Sequence, residues 1–299
     1  MTPNAQAILE SWSAPIGVDA SLCLVALVYA NGWFHLNKKI PNLISAWRIA
    51  AFFAGIFCVW IAVGSPLDAF DDVLLSVHMA QHLLLMAIAP PLILLGAPAL
   101  PLLLGIPQFM ARGVVGPCLR SSVVKRLARL ISNPVVCWLA AALALIGWHI
   151  PAAFELALRS RSWHELEHVS FFGAGLLFWW PVVQPWPSTA RWPRWSVPLY
   201  LFCATLPCDA LSGFLSFCDR VVYSSYLSAP NILTSSPLHD QECAAALMWV
   251  STTIILLAPA VAITIQILSP QLVDLQAQPW SASNTTVGQG LNGPKSEVV

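Results

Sequence analysis

The stretch GWHIPAAFELALRSRSWHELEHVSFFGAGLLFWWPVV, residues Gly147–Val183, predicts two apolar segments that meet the same membrane surface. The first segment ends in the sequence WHIP at residues 148–151, which contains His149, and the second begins after a short polar loop at His164. His164 and His168 are four residues apart, so on a helix their Cβ atoms lie on one face, roughly 5–6 Å apart. Aromatic residues are common at a membrane boundary, whereas a group of three histidines is not.

The composition is that of a membrane protein. Of the 299 residues, 58% are hydrophobic and only 9% are charged, against about 25% charged in a typical soluble domain. The mean hydropathy is +0.71. A chain with this balance cannot bury its apolar surface in a soluble core, so we expect an all-α polytopic protein embedded in a lipid bilayer. The formal net charge is zero and basic runs are absent from the sequence, so no nucleic-acid partner is expected.

Seven apolar segments are close to the length that a membrane span requires, about 20 residues for a hydrocarbon core of about 30 Å. They are residues 20–36, 46–63, 73–95, 134–150, 164–186, 197–217 and 243–268. Because each span must satisfy its backbone hydrogen bonds internally, each is predicted to be a helix. We therefore expect one domain of seven transmembrane helices over residues 20–270.

Two polar segments flank this predicted domain. Residues 1–19 contain no Lys or Arg, so they lack the basic start of a secretory signal and are expected to form a short outer segment. Residues 271–299 are rich in Ser, Thr, Gly and Gln, and they offer too little apolar surface to fold. We expect these residues to form a disordered cytoplasmic tail.

The basic residues are distributed unequally between the two sides of the predicted bundle. With seven spans, 11 of the 14 Lys and Arg side chains fall on one side, and Arg159, Arg161 and Arg220 fall on the other. Cytoplasmic loops carry the excess of basic residues in membrane proteins. This distribution predicts an outer N-terminus and a cytoplasmic C-terminus.

With this orientation, six of the seven histidines lie at the outer face. His78 and His82 open the third span, His149 closes the fourth, His164 and His168 open the fifth, and His239 precedes the seventh. An i,i+4 pair lets one helix face offer two imidazoles to one metal ion, and two helices carry such a pair. A single interfacial histidine often only hydrogen-bonds water, a headgroup or a neighbouring helix. Two pairs and His149 on the same face favour a metal or haem site.

Two other features leave alternatives open, and a third predicts a local distortion of a helix. Asp209, within the sixth span, is either a functional group or a carboxyl that hydrogen-bonds a neighbouring helix. Cys218 and Cys243 bracket the last outer loop, where they could form a disulfide or remain two separate thiols. Pro90 and Pro91 are expected to kink the third helix, because proline lacks an N–H group and its ring clashes with the preceding turn.

Three motifs, in this order along the chain, resemble the CtaG-like family. They are HMAQHLLLMAIAPPLILLGAP at His78–Pro98, the stretch WHIP…HELEHVSFFGAGLLFWWPVV, and DQECAAALMWV at Asp240–Val250. Members of this family are seven-helix cytochrome c oxidase assembly proteins of bacterial membranes, and the resemblance extends from the second span to the seventh. Carried over residue by residue, it implies a metal site made of His78, His82, His149, His164, His168 and Asp240.

The resemblance implies a function in assembly, without enzymatic activity, in the bacterial plasma (inner) membrane. The expected partners are cytochrome c oxidase subunits or assembly intermediates, whose copper centres lie near the outer half of the membrane. Copper is the ion that the resemblance implies. Imidazoles suit Cu(II), Zn(II) and haem iron, whereas Cu(I) carriers favour sulfur ligands, so the side chains leave zinc and haem open.

Two alternative functions fit parts of the same pattern. The first is a metal transporter, with Asp209 and the kink at Pro90 along its path. The second is a haem-binding membrane redox protein, in which histidines from different helices serve as axial ligands.

The predicted orientation can be tested with reporter fusions. A reporter placed after Arg129 should read as cytoplasmic and one placed after Asp240 as external, because basic residues concentrate on the side that contains Arg129. The reverse pattern would contradict the outer location of the histidines.

Overall fold

The computed structural model describes residues 16–185, 192–230 and 236–269, and within these residues the ordered elements are helices, without any strand. The helices are α1 (Ile16–Lys39), α2 (Ala46–Gly64), α3 (Pro66–Phe70), α4 (Leu75–Leu95), α5 (Ala99–Gly105), α6 (Gln108–Arg120), α7 (Ser122–Ile131), α8 (Pro134–His149), α9 (Pro151–Arg159), α10 (Arg161–Val183), α11 (Ser196–Phe217) and α12 (Pro237–Leu268). A 3₁₀ turn, Ser224–Leu227, lies between α11 and α12.

Six helical segments in the described part of the chain are long and apolar enough to cross a membrane. They are α1, α2 together with α3, α4, α10, α11 and α12. Two further pairs pass the same test if each bent pair is one span, namely α5 with α6, bent by 112°, and α7 with α8, bent by 74°. The all-α, multi-pass architecture is thereby confirmed, with six to eight candidate spans in place of a fixed count of seven. The orientation of the termini stays a prediction.

The fourth predicted span, residues 134–150, is one reason why the number of candidate spans is six to eight and not a fixed seven. Helix α8 contains 16 residues, which is short for a full crossing, and it qualifies only in combination with α7. The predicted outer segment 1–19 is described only from Ile16, where α1 already begins. The predicted tail 271–299 lies outside the described residues.

Helix α4 lies at the centre of the bundle and packs against α2, α10 and α12. Its N-terminal half is a regular α-helix, followed by a π-helical turn at Leu84–Ile88 just before Pro90 and Pro91. Proline cannot donate to the carbonyl four residues earlier, and a wider turn relieves the clash of its ring with that carbonyl. The irregular geometry is thus confined to the half of α4 that follows His82.

Small residues allow the neighbouring helices to approach α4 closely. A Cβ atom built at Gly175 of α10 would lie 2.6 Å from the carbonyl oxygen of Met86 and 2.7 Å from the ring of Pro90. A Cβ atom at Gly55 of α2 would lie 2.6 Å from the side chain of Ile93, which is also on α4. Close approach at glycine is a common way to pack membrane helices. Here it fixes the spacing between α4 and α10.

The loop that follows α11 is held against the bundle by buried hydrogen bonds. The side chain of Gln241 accepts a hydrogen bond from Val222 N at 2.8 Å and donates one to the carbonyl of Leu215 at 3.1 Å. The hydroxyl of Tyr223 donates to the carbonyl of His149 at 3.2 Å, so the loop also braces the end of α8. Packing at this end of the molecule therefore does not depend on a disulfide.

All eight cysteines fall within the described residues, and each is a free thiol, including Cys218 and Cys243. Of the two alternatives that the sequence left open for this pair, the structure has the two separate thiols.

The close approach at Gly175 yields a matched pair of variants. Gly175→Ala should lower the free energy of unfolding by about 1–3 kcal/mol, because the added methyl group meets backbone that can yield only if α4 and α10 move apart. Gly173→Ala, on the same helix, meets nothing within 4 Å and should be neutral or stabilising. Thermal unfolding in detergent measures both effects, and equal melting temperatures would contradict this role of Gly175.

Candidate metal centre

Five histidines from three helices converge at one end of the bundle. Helix α4 contributes His78 and His82, α8 contributes His149 at its last position, and α10 contributes His164 and His168. Four of these side chains are buried, and His164 retains 17% of its side-chain exposure. The structure thus brings together five of the six residues that the sequence indicated as ligands.

The two i,i+4 pairs face each other across the contact between α4 and α10. Within the pairs, the ring centroids of His78 and His82 are 4.2 Å apart, and those of His164 and His168 are 4.1 Å apart. Between the helices, the ring of His78 lies 5.6 Å from that of His164, and the ring of His82 lies 5.8 Å from that of His168. The four imidazoles therefore form one contiguous cluster.

Glu167 of α10 lies within this cluster and has no solvent exposure. Its Oε1 atom is 3.8 Å from Nε2 of His78 and 3.6 Å from Nε2 of His82. One ligand atom from each of these three residues lies within 4.8 Å of the other two. Imidazole nitrogen and carboxylate oxygen are ligands that Zn(II) and Cu(II) accept, so these residues could hold such an ion.

Asp71, in the turn before α4, extends the cluster towards the protein surface. Its Oδ2 atom is 3.2 Å from Nε2 of His164, and together with His78 these residues form a second group whose ligand atoms lie within 4.8 Å of one another. Burial, together with the neighbouring carboxylates of Asp68 and Asp72, raises the pKa of Asp71 to about 8. A cation bound here would favour the ionised carboxylate and displace the proton.

The cluster contains an unusual concentration of buried polar atoms without hydrogen-bond partners. Among the described residues, nine such side-chain atoms belong to Asp71, His78, His82, His164, Glu167 and His168. Most buried polar groups in proteins are hydrogen-bonded, and each unsatisfied one costs about 1–3 kcal/mol. Convergent lone pairs of this kind are what a metal ion would satisfy, so the residues present fit a metal site.

A cavity of about 600 Å³ leads to this cluster, and His164 and His168 form part of its wall. Asp68, Asp71 and Asp72 also line it. The same wall includes Glu165 and two arginines, Arg159 and Arg161, so its carboxyl groups outnumber its guanidinium groups by four to two. A cleft with an excess of one sign of charge raises the local concentration of the opposite ion, so this cavity favours the entry of cations.

His149 approaches the cluster from α8 with a defined ring orientation. Its Nδ1 atom is 2.7 Å from the carbonyl oxygen of Leu145, which can only accept, so Nδ1 carries the proton in that hydrogen bond. Its Nε2 atom is 3.4 Å from the sulfur of Met79, and its ring centroid is 6.5 Å from that of His82. His149 belongs to neither of the two convergent groups described above.

Asp240, the sixth residue that the resemblance indicated, contacts the start of α4. Its carboxylate accepts hydrogen bonds from the backbone N–H of Leu75, at 2.7 Å, and from the hydroxyl of Ser76. An acceptor at a helix N-terminus satisfies otherwise unpaired N–H groups and interacts favourably with the helix dipole. Neither group of convergent ligand atoms includes Asp240, so its function as a ligand stays a prediction, and in the structure it positions α4.

The other polar residues singled out from the sequence lie outside both groups. Asp209 is half-buried on α11, and Nδ1 of His35 donates a hydrogen bond to the carbonyl of Asn31 in its own helix, at 2.8 Å. Because that carbonyl only accepts, His35 is the donor. His239, at the start of α12, is exposed and lies 3.4 Å from Glu242.

Sequence reasoning missed Glu167 and Asp71 as candidate ligands. Helix spacing alone does not separate Glu167 from Glu165, because each is one residue from one histidine of the pair and three residues from the other. The structure separates them: Glu167 is buried in the cluster, whereas Glu165 is exposed and pairs with Arg161. Asp71 precedes α4 in a turn, where periodicity gives no indication of side-chain direction.

Comparison with known proteins identifies the relatives of this chain. A family model described as cytochrome c oxidase caa3 assembly factor matches residues 27–269, which include every residue of the cluster. Uncharacterized proteins of Mycobacterium bovis and Mycobacterium tuberculosis are each 24% identical over 268 residues, which cover 88% of this chain and 40% of theirs. An uncharacterized protein of Mycobacterium leprae is 22% identical over 272 residues, with the same coverage. The chain thus spans about two fifths of the length of these relatives, and no solved structure matches it.

The two glutamates of α10 provide a direct test of the centre. Glu167→Gln keeps the size of the side chain but removes the buried carboxylate, so we expect Zn(II) to bind about 10–100-fold more weakly. Glu165→Gln, the matched control, should leave the Zn(II) affinity unchanged, because Glu165 is exposed and pairs with Arg161. Competition with a fluorescent zinc chelator in detergent measures both, and equal affinities in the two variants would exclude Glu167 as a ligand.

Proposed function

Because this chain belongs to the family of cytochrome c oxidase caa3 assembly factors, we propose that it helps to mature a haem–copper oxidase by binding copper in the His–Glu–Asp cluster. The proposed partners are oxidase subunits or assembly intermediates, and the proposed location is the bacterial plasma membrane. The observation that carries the proposal is the presence of two adjoining groups of convergent ligand atoms, from imidazoles and carboxylates, in a cluster that contains nine buried polar atoms without hydrogen-bond partners.

The chemistry of the cluster supports the binding of a divalent cation. Taking a dication out of water is costly, and buried charges are tolerated when they are paired or coordinated. Glu167 and Asp71 supply negative charge, and the neighbouring imidazoles supply neutral donors. Such a mixed set suits Cu(II) and Zn(II) better than Ca²⁺ or Mg²⁺, which prefer oxygen ligands alone.

The position of the cluster supports delivery on one side of the membrane. In the predicted orientation, the aspartate-lined cavity and the histidines both belong to the outer half, where the copper centres of such oxidases are expected. Beyond His82 and His149, a cavity of about 90 Å³ continues into the bundle, and its wall includes the apolar side chains of Leu83, Trp138 and Phe178. This lining does not favour a transporter, which needs polar groups that continue towards the cytoplasmic side.

The volumes of the two cavities can be compared with the space that a haem needs. Sites for drug-sized ligands occupy about 300–1,000 Å³, and the inner cavity is well below that range. The outer cavity is larger, but the carboxyl groups of its wall outnumber the guanidinium groups by four to two, which favours a cation over a haem with two propionate groups. A metal ion therefore fits the site better than a haem does.

The proposal can be tested in a strain that lacks the gene. We expect that strain to make the oxidase polypeptides but to show little oxidase activity, because the enzyme would lack copper. Complementation with Glu167→Gln should restore little activity, whereas Glu165→Gln should restore it fully. Oxidase activity of isolated membranes, with immunodetection of the subunits, measures both results.

Normal oxidase activity in the deletion strain would overturn the assembly function. Added copper distinguishes metal supply from the stabilisation of an assembly intermediate. Restoration of activity by excess copper would support metal supply, and a failure to restore it would indicate that the protein instead holds an assembly intermediate together.

A further inference from the structure

Met79 and His149 form a contact that the mixed cluster does not explain. The sulfur of Met79 is 3.4 Å from Nε2 of His149, and both side chains are buried. Met79 follows His78 by one residue, so it leaves α4 about 100° around the helix and points away from the His78–Glu167 group towards α8. The contact lies on the other side of His82 from the aspartate-lined cavity, where the inner cavity begins.

Neither of the two contacting atoms, Nε2 of His149 and the sulfur of Met79, carries a hydrogen when the imidazole is neutral. Nδ1 of His149 donates to the carbonyl of Leu145, so in the neutral imidazole Nε2 has a bare lone pair. The thioether sulfur of Met79 has no hydrogen to donate. Nε2 and the sulfur therefore lie 3.4 Å apart without a hydrogen between them, and each has a lone pair that no proton shares.

A second proton on His149 would turn the contact into a hydrogen bond, but the surroundings disfavour that charge. An imidazolium here would be buried against Phe154 and Phe171 and beside the imidazole of His82. Burying a charge without a charged partner is costly, and a thioether is a weak acceptor. A shared ligand that accepts both lone pairs resolves the contact better than a proton does.

The separation of the two atoms matches a pair of ligands on one metal ion. Metal bonds of about 2.0 Å to imidazole nitrogen and about 2.3 Å to sulfur place the two donor atoms about 3.4 Å apart when the angle at the metal is about 105°. That angle is close to tetrahedral. His82 lines the same cavity, and neither of its ring nitrogens has a hydrogen-bond partner, so it can supply a third ligand.

The surroundings select the kind of ion. The contact combines a thioether with an imidazole, and most of the cavity wall around it is apolar, with side chains such as Leu83, Trp138 and Phe178. Soft sulfur ligands favour Cu(I) over Zn(II) and Cu(II). A monovalent ion also loses less hydration energy than a divalent ion when it enters an apolar space.

We propose that Met79 and His149, with His82 beside them, form a second metal site that is specific for Cu(I). The site shares His82 with the group of His78, His82 and Glu167, and it shares no residue with the group of Asp71, His78 and His164. Its existence rests on the geometry of Met79, His149 and His82, whereas a role in copper supply rests on the function proposed above.

Binding of Cu(I) to the purified full-length chain tests the site. Cu(I) is supplied under reducing conditions, with a chromogenic Cu(I) chelator as competitor, and X-ray absorption reports the ligand atoms. We expect a sulfur shell at about 2.3 Å in the wild-type protein. Met79→Leu, which keeps the volume but removes the sulfur, should lose that shell and bind Cu(I) at least about tenfold more weakly. Met86→Leu, the matched control from the same cavity, should retain both.

Zn(II) binding in the same variants separates a lost ligand from a lost fold. Met79→Leu should keep the wild-type Zn(II) affinity, because the Glu167 group does not use sulfur. If Met79→Leu fails to fold, selenomethionine-labelled wild-type protein supplies the test, since its sulfur shell should be replaced by selenium.

Two results would overturn the proposal: a sulfur shell that persists in Met79→Leu, or the absence of a selenium shell in the labelled protein. Normal oxidase activity in the deletion strain would overturn the assembly function and would leave this measurement unaffected.

Discussion

The burial of Glu167 between imidazoles is the constraint on which this end of the molecule depends. The carboxylate has no solvent exposure, and its nearest polar neighbours are the Nε2 atoms of His78 and His82, at 3.8 and 3.6 Å. An isolated carboxylate in an apolar interior is very costly unless a charge or hydrogen bonds compensate it. A cation held by the same imidazoles would provide that compensation, which is the reason that we propose this cluster as a binding site.

Contacts between the surrounding helices fix the positions of the histidines around Glu167. Gly175 allows α10 to approach α4 at the π-helical turn, and Asp240 caps the first turn of α4, one turn before His78. The hydroxyl of Tyr223 fixes the end of α8, where His149 lies. Helices α4, α8 and α10 thus converge without a disulfide, since all eight cysteines are free thiols. This is the rigid support that a metal site needs, because ligands must be held within tight limits.

Sequence reasoning reached the fold class because composition and segment length decide it. It also grouped His78, His82, His164 and His168, since an i,i+4 pair specifies a helix face whatever the tertiary structure. Sequence reasoning could not identify Asp71, because it lies in a turn, where helix periodicity does not apply. It could not identify Met79 as a candidate ligand either, because that interpretation depends on its contact with His149 of α8. The number of membrane spans could not be predicted from the sequence either. A helix of 16 residues and two sharply bent pairs are tertiary features, which hydropathy along the chain does not resolve.

We propose that imidazoles of α4 and α10 bind a metal ion inside the bundle. Zinc-edge X-ray absorption on protein loaded with one equivalent of Zn(II) tests it most directly. We expect a shell of nitrogen and oxygen at about 2.0–2.1 Å, with the outer scattering of at least two imidazole rings. A shell of oxygen alone, without imidazole scattering, would contradict the claim.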